Sequence, residues 1–328
     1  MSNPNKQDSS LKISKIKSDG LFHKLVWGFW GYLIVVILFG AWVRITGSGA
    51  GCGAHWPSCN GEIIPINPSL ETIIEFSHRL TSGMCGVFGI GFLLYGWKRF
   101  GSSHIVFRSL LLTFFFILFE GAIGAGLVLK ELVVNDDSAA RAIVISLHLV
   151  NTFLLTGSVT AAALFASPKH RNVFVVSLTT KRLLYTAGVL MVAVAMAGAV
   201  TALGDTLFPP DVTSGGSIFA HIKEDLDVTS HFLVRLRIIH PFLAVFFGVL
   251  CIIVGLFVYI ESEETNKMVA KWGRLFAIVC LLEILIGVAT IWLAAPGYMQ
   301  LIHLFFAQVL WTIWVLLFFL TKDQKAAS

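Results

Sequence analysis

Residues 275–320 read LFAIVCLLEILIGVATIWLAAPGYMQLIHLFFAQVLWTIWVLLFFL and contain one charged residue, Glu283. The stretch holds two apolar runs, 275–295 and 299–320, and each has the roughly 20 residues that a helix needs to cross a membrane. In water-soluble domains, by contrast, about a quarter of the residues are charged. The stretch therefore predicts two membrane-spanning helices.

The rest of the chain has the same character. Of its 328 residues, 56% are hydrophobic and 13% are charged, and the mean hydropathy is +0.81. We therefore predict an all-α polytopic membrane protein with eight transmembrane helices in the lipid bilayer. This composition excludes a cytosolic enzyme, a disordered scaffold and a protein that binds nucleic acid. The other six apolar runs cover residues 25–45, 71–96, 108–129, 142–166, 183–203 and 232–260.

Basic residues predict how the helices are oriented. When alternate loops are assigned to opposite sides, one side receives 17 of the 24 Lys and Arg residues. The positive-inside rule makes that side cytoplasmic, so we expect a multi-pass protein of the cell's plasma membrane with both termini in the cytoplasm. The 17 residues are Lys6, Lys12, Lys15, Lys17, Lys24, Lys98, Arg99, Arg108, Lys169, Arg171, Lys181, Arg182, Lys267, Lys271, Arg274, Lys322 and Lys325.

The other basic residues fall into two groups. Arg44, Lys130, Arg141 and Lys223 are expected in loops on the outer side. Arg79, Arg235 and Arg237 lie inside predicted helices, where a charge is costly and usually functional.

The two halves of the chain resemble each other. Residues 25–166 align with residues 183–320 at offsets between 155 and 163. Because each half has an even number of helices, both halves share one orientation, as parallel repeats do. We expect two pseudo-symmetric four-helix bundles, with a tail at 1–24, a linker at 167–182 and a tail at 321–328. The matching residues are Gly40 with Gly198, Glu120 with Glu283, His78 with His240, and His148 with His303.

Four of the ten histidines lie inside the predicted helices, all toward the outer side. One intramembrane imidazole is often only bonded to a neighbouring helix, but four at repeated positions would be costly without a shared purpose. Paired imidazoles from facing helices are a common way to hold a haem. The repeat predicts one pair of iron ligands per bundle, His78 with His148 and His240 with His303.

Charged residues accompany these histidines. Arg79 follows His78, and Arg237 lies one turn before His240, where a guanidinium is a suitable partner for a haem propionate. Glu75 lies one turn before His78, so only the first half has an acid at that place. Two interpretations stay open. Glu75 either moves protons beside a haem or only neutralises Arg79.

Two further pairs of residues are singled out. Glu120 and Glu283 recur at equivalent places, which suggests a shared structural duty, either bonding across helices or holding a propionate or a histidine. Cys52 and Cys59 bracket a turn-rich segment of the first outer loop, on the oxidising face where disulfides persist. We expect them to form a disulfide, whose role is either structural or redox.

At these residues the chain resembles the heme A synthase family. Members of that family oxidise a ring methyl of heme O to a formyl group, and the product, heme A, serves terminal oxidases. The resemblance covers all eight predicted helices. It rests on Gly40 to Cys52 continuing through Trp56 to Gly61, on Glu75-Phe76-Ser77-His78-Arg79, on His148-Leu149, on Thr201 to Pro209, and on His303-Leu304.

The resemblance implies a role for each half. In bundle 25–166, Glu75 would be catalytic, and His78, His148 and Arg79 would bind the substrate heme O. In bundle 183–320, the resemblance makes His240 and His303 the axial ligands of a haem b, and Arg237 would contact a propionate. One departure is that His240 is followed by Pro241 where an arginine is expected by analogy with Arg79.

The implied reaction is an oxidation by successive hydroxylations, which makes the protein an oxidoreductase acting on a CH group. The sequence has no nucleotide or flavin motif, so electrons would leave through haem b or an external acceptor that the sequence does not identify. An enzyme that produces heme O is the expected partner.

Two other classes of protein fit part of the pattern. A di-haem b-type protein that only transfers electrons would use the same ligands, but it would normally place haems in both leaflets. A small-molecule transporter would explain the parallel repeats and leave the histidine pairs unexplained.

Overall fold

The computed structural model describes residues 19–167, 173–209 and 225–323. Eight helical segments in these ranges are long and apolar enough to cross a membrane, so the predicted all-α polytopic fold is confirmed. The short helix α6 leads into α7 through Arg237 and Ile238, and together they form one span. The helices are α1 Gly20–Ile45, α2 Leu70–Phe100, α3 Ile105–Leu129, α4 Ala139–Ala166, α5 Leu178–Leu207, α6 Phe232–Leu236, α7 Ile239–Ser262, α8 Lys267–Trp292 and α9 Gly297–Leu320.

Several helices begin earlier than their apolar runs predict. The Asp19 carboxylate accepts hydrogen bonds from the N–H groups of Leu21 and Phe22, which starts α1 at Gly20 inside the predicted tail. The Ser177 hydroxyl accepts one from Thr180, which starts α5 inside the predicted linker. Polar caps of this kind stabilise the first turn of a helix, yet they lie outside the run of apolar residues.

Two short strands lie at the end opposite the first outer loop. Strand β1, Phe174–Val176, pairs in parallel with β2, Thr321–Asp323. The pairing joins the segment between the halves to the end of α9, where a tail was predicted. Part of the orientation argument lies outside the described residues, namely Lys6, Lys12, Lys15, Lys17, Lys169, Arg171, Lys223 and Lys325.

The two halves meet along α4 and α9, the spans with the largest buried share. Phe153 of α4 stacks on Trp311 of α9 at a ring-centre distance of 5.3 Å, and the Trp311 indole donates to the Phe153 carbonyl. The Thr156 hydroxyl donates to the buried Gln308 amide at 2.9 Å. These contacts fix how the two halves sit against each other, and therefore how their polar residues face one another.

The loop after α1 is fastened to the start of α2. Cys52 and Cys59 form the predicted disulfide, and the Thr72 hydroxyl donates to the Gly51 carbonyl at 2.6 Å. Gly51 lies so close to α2 that a Cβ on it would be 2.4 Å from the carbonyl carbon of Glu71. The loop therefore covers the outer end of the first half at a fixed position.

We expect Cys52 and Cys59 to resist alkylation in the native protein and to react after reduction and unfolding, because a disulfide leaves no free thiol. Peptide mass spectrometry with and without reductant measures this, with the free buried thiol of Cys85 as an internal control that reacts on unfolding alone. Alkylation of both loop cysteines after unfolding without reductant would contradict the disulfide.

Candidate functional site

One cavity of about 1380 Å³ extends through both halves and is lined by all four intramembrane histidines. Sites for single small molecules usually enclose about 300–1,000 Å³, so this cavity has room for more than one such ligand. The structure thus brings together the four residues that the sequence singled out. Its charged lining residues come from both halves and include Glu75, Glu120, Glu283, Arg44, Arg79, Arg141 and Arg237.

The second-half pair has a spacing that suits one metal. The ring centres of His240 and His303 are 6.2 Å apart, and the rings are inclined by 71°. Two imidazoles that bind one metal from opposite sides, with bonds of about 2.0–2.1 Å, have ring centres about 6 Å apart. The Val194 carbonyl lies 3.1 Å from Nδ1 of His240, which leaves Nε2 for a metal.

The first-half pair lies in the other part of the cavity. His78 projects from α2 and His148 from α4, and the two imidazoles are within electrostatic range of each other. Nδ1 of His78 is buried without a hydrogen-bond partner among the described residues. Each pair offers two imidazoles and no third ligand, and within the described ranges no group of three or more His, Cys, Asp or Glu is placed to hold a metal ion. This donor set fits haem, whose porphyrin supplies the other ligands.

Glycines of neighbouring helices make room for three of these imidazoles. A Cβ added to each glycine would lie 3.3 Å or less from a ring atom, which is a contact closer than normal packing allows. Two of these glycines belong to a Gly-Ala pair that recurs in the two halves, as Gly40-Ala41 and Gly198-Ala199. The space that the histidine rings need explains why the glycine is repeated. The contacts are Gly40 with His78 at 3.0 Å, Gly198 with His240 at 2.9 Å, and Gly287 with His303 at 3.3 Å.

The repeated glutamates lie against the other two imidazoles. Glu120 Oε1 is 3.3 Å from Nδ1 of His148, and Glu283 Oε1 is 3.1 Å from Nδ1 of His303. Although the atoms are close, the N–H direction is not aligned for a hydrogen bond in either pair. Of the duties expected for the glutamates, these contacts favour holding a histidine of a neighbouring helix. Carboxylates behind a ligating histidine fix the ring and raise its basicity.

The surroundings of the two glutamates differ. Glu120 also accepts hydrogen bonds from Asn151 and, at 2.5 Å, from the Thr152 hydroxyl. Glu283 has one carboxylate oxygen that is buried with no partner among the described residues. The first half therefore holds its glutamate in a more polar setting.

Glu75 is 3% exposed and fully engaged. Its Oε1 accepts from Arg79 at 2.5 and 3.0 Å, and its Oε2 accepts from the Cys52 N–H at 2.8 Å. Arg79 also donates to the carbonyls of His55 and Ser58. The pairing with Arg79 was one of the two interpretations of Glu75, and it is present. The other interpretation, that Glu75 moves protons, stays a prediction.

Arg237, at the junction of α6 and α7, is 6% exposed and also paired. It contacts Asp225 at 3.0 Å and Asp205 at 3.5 Å, and it donates to the Phe208 carbonyl at 2.8 Å. Arg235, two residues earlier, is exposed. The structure therefore places Arg237, and not Arg235, at the cavity.

Arg44 and Arg141 were expected in outer loops, and that expectation is wrong. Arg44 lies in the last turn of α1 and Arg141 in the first turn of α4, and both line the cavity. Arg44 donates to the Ala202 carbonyl at 2.6 Å and to Gln300 at 2.8 Å. Arg44 is the last residue but one of the apolar run 25–45, and Arg141 directly precedes the run 142–166. A charged residue at the edge of an apolar run is easily taken for part of a loop when only hydropathy is considered.

Known proteins resemble this chain over most of its length. Residues 23–315 match the family COX15-CtaA, described as cytochrome oxidase assembly protein. A protoheme IX farnesyltransferase of Thermus thermophilus is 37% identical over 297 residues, which are 89% of this chain and 47% of that protein. Heme A synthases of Halalkalibacterium halodurans and Alkalihalophilus pseudofirmus are 44% and 45% identical over 29% of this chain and 32% of each relative. The chain thus spans about half the length of the first relative and matches about a third of the other two.

We expect Gly198→Ala to lower the haem content of the purified protein, because the added methyl group would displace the His240 ring. Overpacking of this size costs about 1–3 kcal/mol, which corresponds to binding that is weaker by about 5- to 150-fold. The haem-to-protein ratio from a pyridine haemochrome assay measures the effect.

Gly91→Ala in α2 is the matched control, since no atom lies within 4 Å of a Cβ at that position and Gly91 is not a lining residue of the cavity. Equal haem content in the two variants would show that the Gly198 contact does not matter for binding.

Proposed function

The chain belongs to the COX15-CtaA family of cytochrome oxidase assembly proteins, and from that premise we propose that it is a heme A synthase, which converts heme O to heme A. The observation that carries the proposal is that one intramembrane cavity contains two histidine sites with different surroundings. Both sites have a histidine backed by a glutamate, and only the first has a buried acid, Glu75, beside it. One site suits a reacting haem and the other a haem that stays unchanged.

The second-half site is proposed to hold haem b. Its support is the 6.2 Å spacing of the His240 and His303 rings, together with Glu283 behind His303 and Val194 behind His240. Haem iron in such a site accepts and donates single electrons. The chain's part is to hold both imidazoles in place, and Gly198 and Gly287 provide the space for them.

The first-half site is proposed to hold the substrate, heme O, between His78 and His148. The reaction oxidises a ring methyl to a formyl group through successive hydroxylations, and loss of water from the resulting gem-diol gives the aldehyde. This makes the enzyme an oxidoreductase that acts on a CH group. The division into a substrate bundle, 25–166, and a haem b bundle, 183–320, is part of the same proposal.

Glu75 is the proposed catalytic residue. Oxidation of a methyl group releases protons, and a carboxylate beside the reacting carbon is a suitable acceptor. Arg79 and the Cys52 N–H hold the carboxylate against the loop, so its position does not depend on the substrate. The disulfide supports the same arrangement, because it fixes the loop that carries Cys52.

We propose that His240 and His303 would hold a haem b that supplies one-electron chemistry to the first site, since both sites line one cavity. The final electron acceptor would lie outside the described residues. A protein that only transfers electrons would need no acid at one site, so Glu75 disfavours this alternative.

The proposed partner is an enzyme that makes heme O. The Thermus thermophilus relative is named a protoheme IX farnesyltransferase, and about half of it lies outside the match with this chain. Farnesylation of protoheme yields a haem with a long apolar tail, as heme O has. We infer that a farnesyltransferase activity supplies the heme O that this protein takes up within the membrane.

The same proposal places the protein in the plasma membrane with both termini in the cytoplasm. The described basic residues support this orientation, because Lys98, Arg99 and Arg108 lie at the connection of α2 to α3, and Lys181 and Arg182 lie at the start of α5. These positions are at the end of the bundle opposite the disulfide loop.

We expect Glu75→Gln to keep haem b and to lower heme A formation about 100-fold or more, the loss typical of removing a general base. Chromatography of haems extracted from a host that makes heme O measures conversion and haem b in one preparation. The control is Glu62→Gln, the same change at an exposed acid of the disulfide loop that Glu75 contacts. A parallel loss of haem b and heme A would mean that Glu75 serves the fold alone.

We expect His303→Ala to remove most of the tightly bound haem b, because one axial ligand is lost and its partner is left unpaired in the membrane. His78→Ala should leave haem b in place and reduce conversion. Haem b is quantified from reduced difference spectra. The opposite result for the two variants would exchange the roles of the two halves.

A further inference from the structure

Four arginines line the cavity, and their ionic partners divide them into two pairs. Arg79 is neutralised by Glu75, and Arg237 by Asp225 and Asp205. Arg44 and Arg141 form no ion pair with a carboxylate of the described residues. Their hydrogen bonds go to uncharged acceptors, which for Arg44 are Ala202, Thr206 and Gln300 and for Arg141 are Val134 and Asp136 through their carbonyls.

Arg141 is the more unusual of the two. Its residue is 4% exposed, Nη1 donates to the Val134 and Asp136 carbonyls at 2.8 and 2.6 Å, and Nε is buried with no acceptor among the described residues. The Asp136 carboxylate lies within electrostatic range of Arg141 but forms no ion pair with it, and a buried charge without a direct ion pair is unfavourable. A guanidinium in this state indicates an anionic ligand that the chain itself does not supply.

Arg44 approaches the same space from another helix. It lies within electrostatic range of both Asp205 and Arg141, but the ion pair of Asp205 is with Arg237. Two like charges at the wall of one cavity repel each other unless an anion lies between them. Guanidinium groups recognise carboxylates in a planar, two-pronged geometry, so a ligand with two carboxylates satisfies both.

The positions of Arg44 and Arg141 on their helices indicate which of the two histidine sites the anion occupies. Arg44 is four residues after Gly40, on which His78 packs, and residues four apart share one face of a helix. Arg141 is seven residues, or about two turns, before His148. Arg141 therefore lies on the face of α4 that forms the first-half histidine site, toward its outer end. Arg44 donates to Ala202, Thr206 and Gln300 of α5 and α9, so it borders the same end of that site from the junction of the two halves.

We propose that Arg44 and Arg141 form the carboxylate-binding end of the first-half site and hold the two propionates of the porphyrin bound at His78 and His148. The sequence assigned this duty to Arg79, but all three nitrogens of the Arg79 guanidinium are occupied by Glu75 and by the carbonyls of His55 and Ser58. The identity of the ligand as a haem rests on the proposed function, whereas the preference for a dicarboxylate rests on the two arginines.

The test compares two probes that differ only at the carboxylates, protohaem IX and its dimethyl ester. Each is titrated by absorbance into the detergent-purified full-length protein that retains its own haem. Wild type is expected to bind the free acid at least about tenfold more tightly than the ester, since charge-assisted hydrogen bonds are lost with the ester. No preference for the free acid in wild type would overturn the proposal without any variant.

The variants assign the preference to residues. Arg44→Gln and Arg141→Gln should each weaken binding of the free acid about tenfold and leave ester binding unchanged, and Arg235→Gln, at an exposed arginine outside the cavity, should change neither. Equal weakening for both probes would mean that the arginines only support the fold, and it would overturn the proposal. So would a preference that survives both changes and disappears in Arg79→Gln.

Two further measurements keep the test decisive. If a Gln variant is not recovered, the Lys variant at the same position replaces it, because lysine keeps the charge and loses the two-pronged geometry. The Lys variant should show a reduced preference for the free acid over the ester. An unchanged preference counts against the proposal. A wild type that forms no heme A from heme O would refute the proposed function but leave the preference for the free acid intact. Heme A formation without that preference would refute this inference alone.

Discussion

A polar group inside a membrane must find a partner in the protein, because the surrounding hydrocarbon offers none. The cost of a charge at the middle of a membrane helix is at least about 2.5 to 3.5 kcal/mol, and this chain places nine charged side chains and four imidazoles along one intramembrane cavity. The same contact between a histidine and a glutamate occurs in both halves. The imidazole from the fourth helix of each half has a glutamate from the preceding helix behind it, and glycines leave room for the rings.

The duplication explains the framework, and the departures from it separate the two sites. In the first half, Glu75 lies one turn before its histidine and joins α2 to the disulfide loop through Arg79 and the Cys52 N–H. In the second half, Arg237 occupies the corresponding place and binds Asp205 and Asp225 instead. Two sites that each offer two histidines thus differ in the ion pairs beside them, which are one glutamate with one arginine in the first half and one arginine with two aspartates in the second. In the proposed function, this difference separates the haem that reacts from the haem that stays unchanged.

The halves also share an outer junction in which Arg44 donates to the Ala202 carbonyl. Ala202 is the residue that the repeat pairs with Arg44, at the same offset of 158 that relates Gly40 to Gly198. A contact between two equivalent positions lies at the axis that relates the halves. Arg44 is therefore common to both halves, and it connects the first-half site to α5 and α9.

The sequence by itself determined the number of spans, the repeat, the four histidines and the disulfide, because apolar runs of membrane length and rare charges are visible without a structure. It also placed Glu75 near Arg79, since residues four apart on a helix are neighbours. The tertiary structure decided which side chains of different helices meet. Packing sets the rotation of each helix about its axis. That rotation places Glu120 and Glu283 against the histidines and the glycines beneath the imidazole rings. It also places Arg44 and Arg141, which were expected in loops, at the cavity wall.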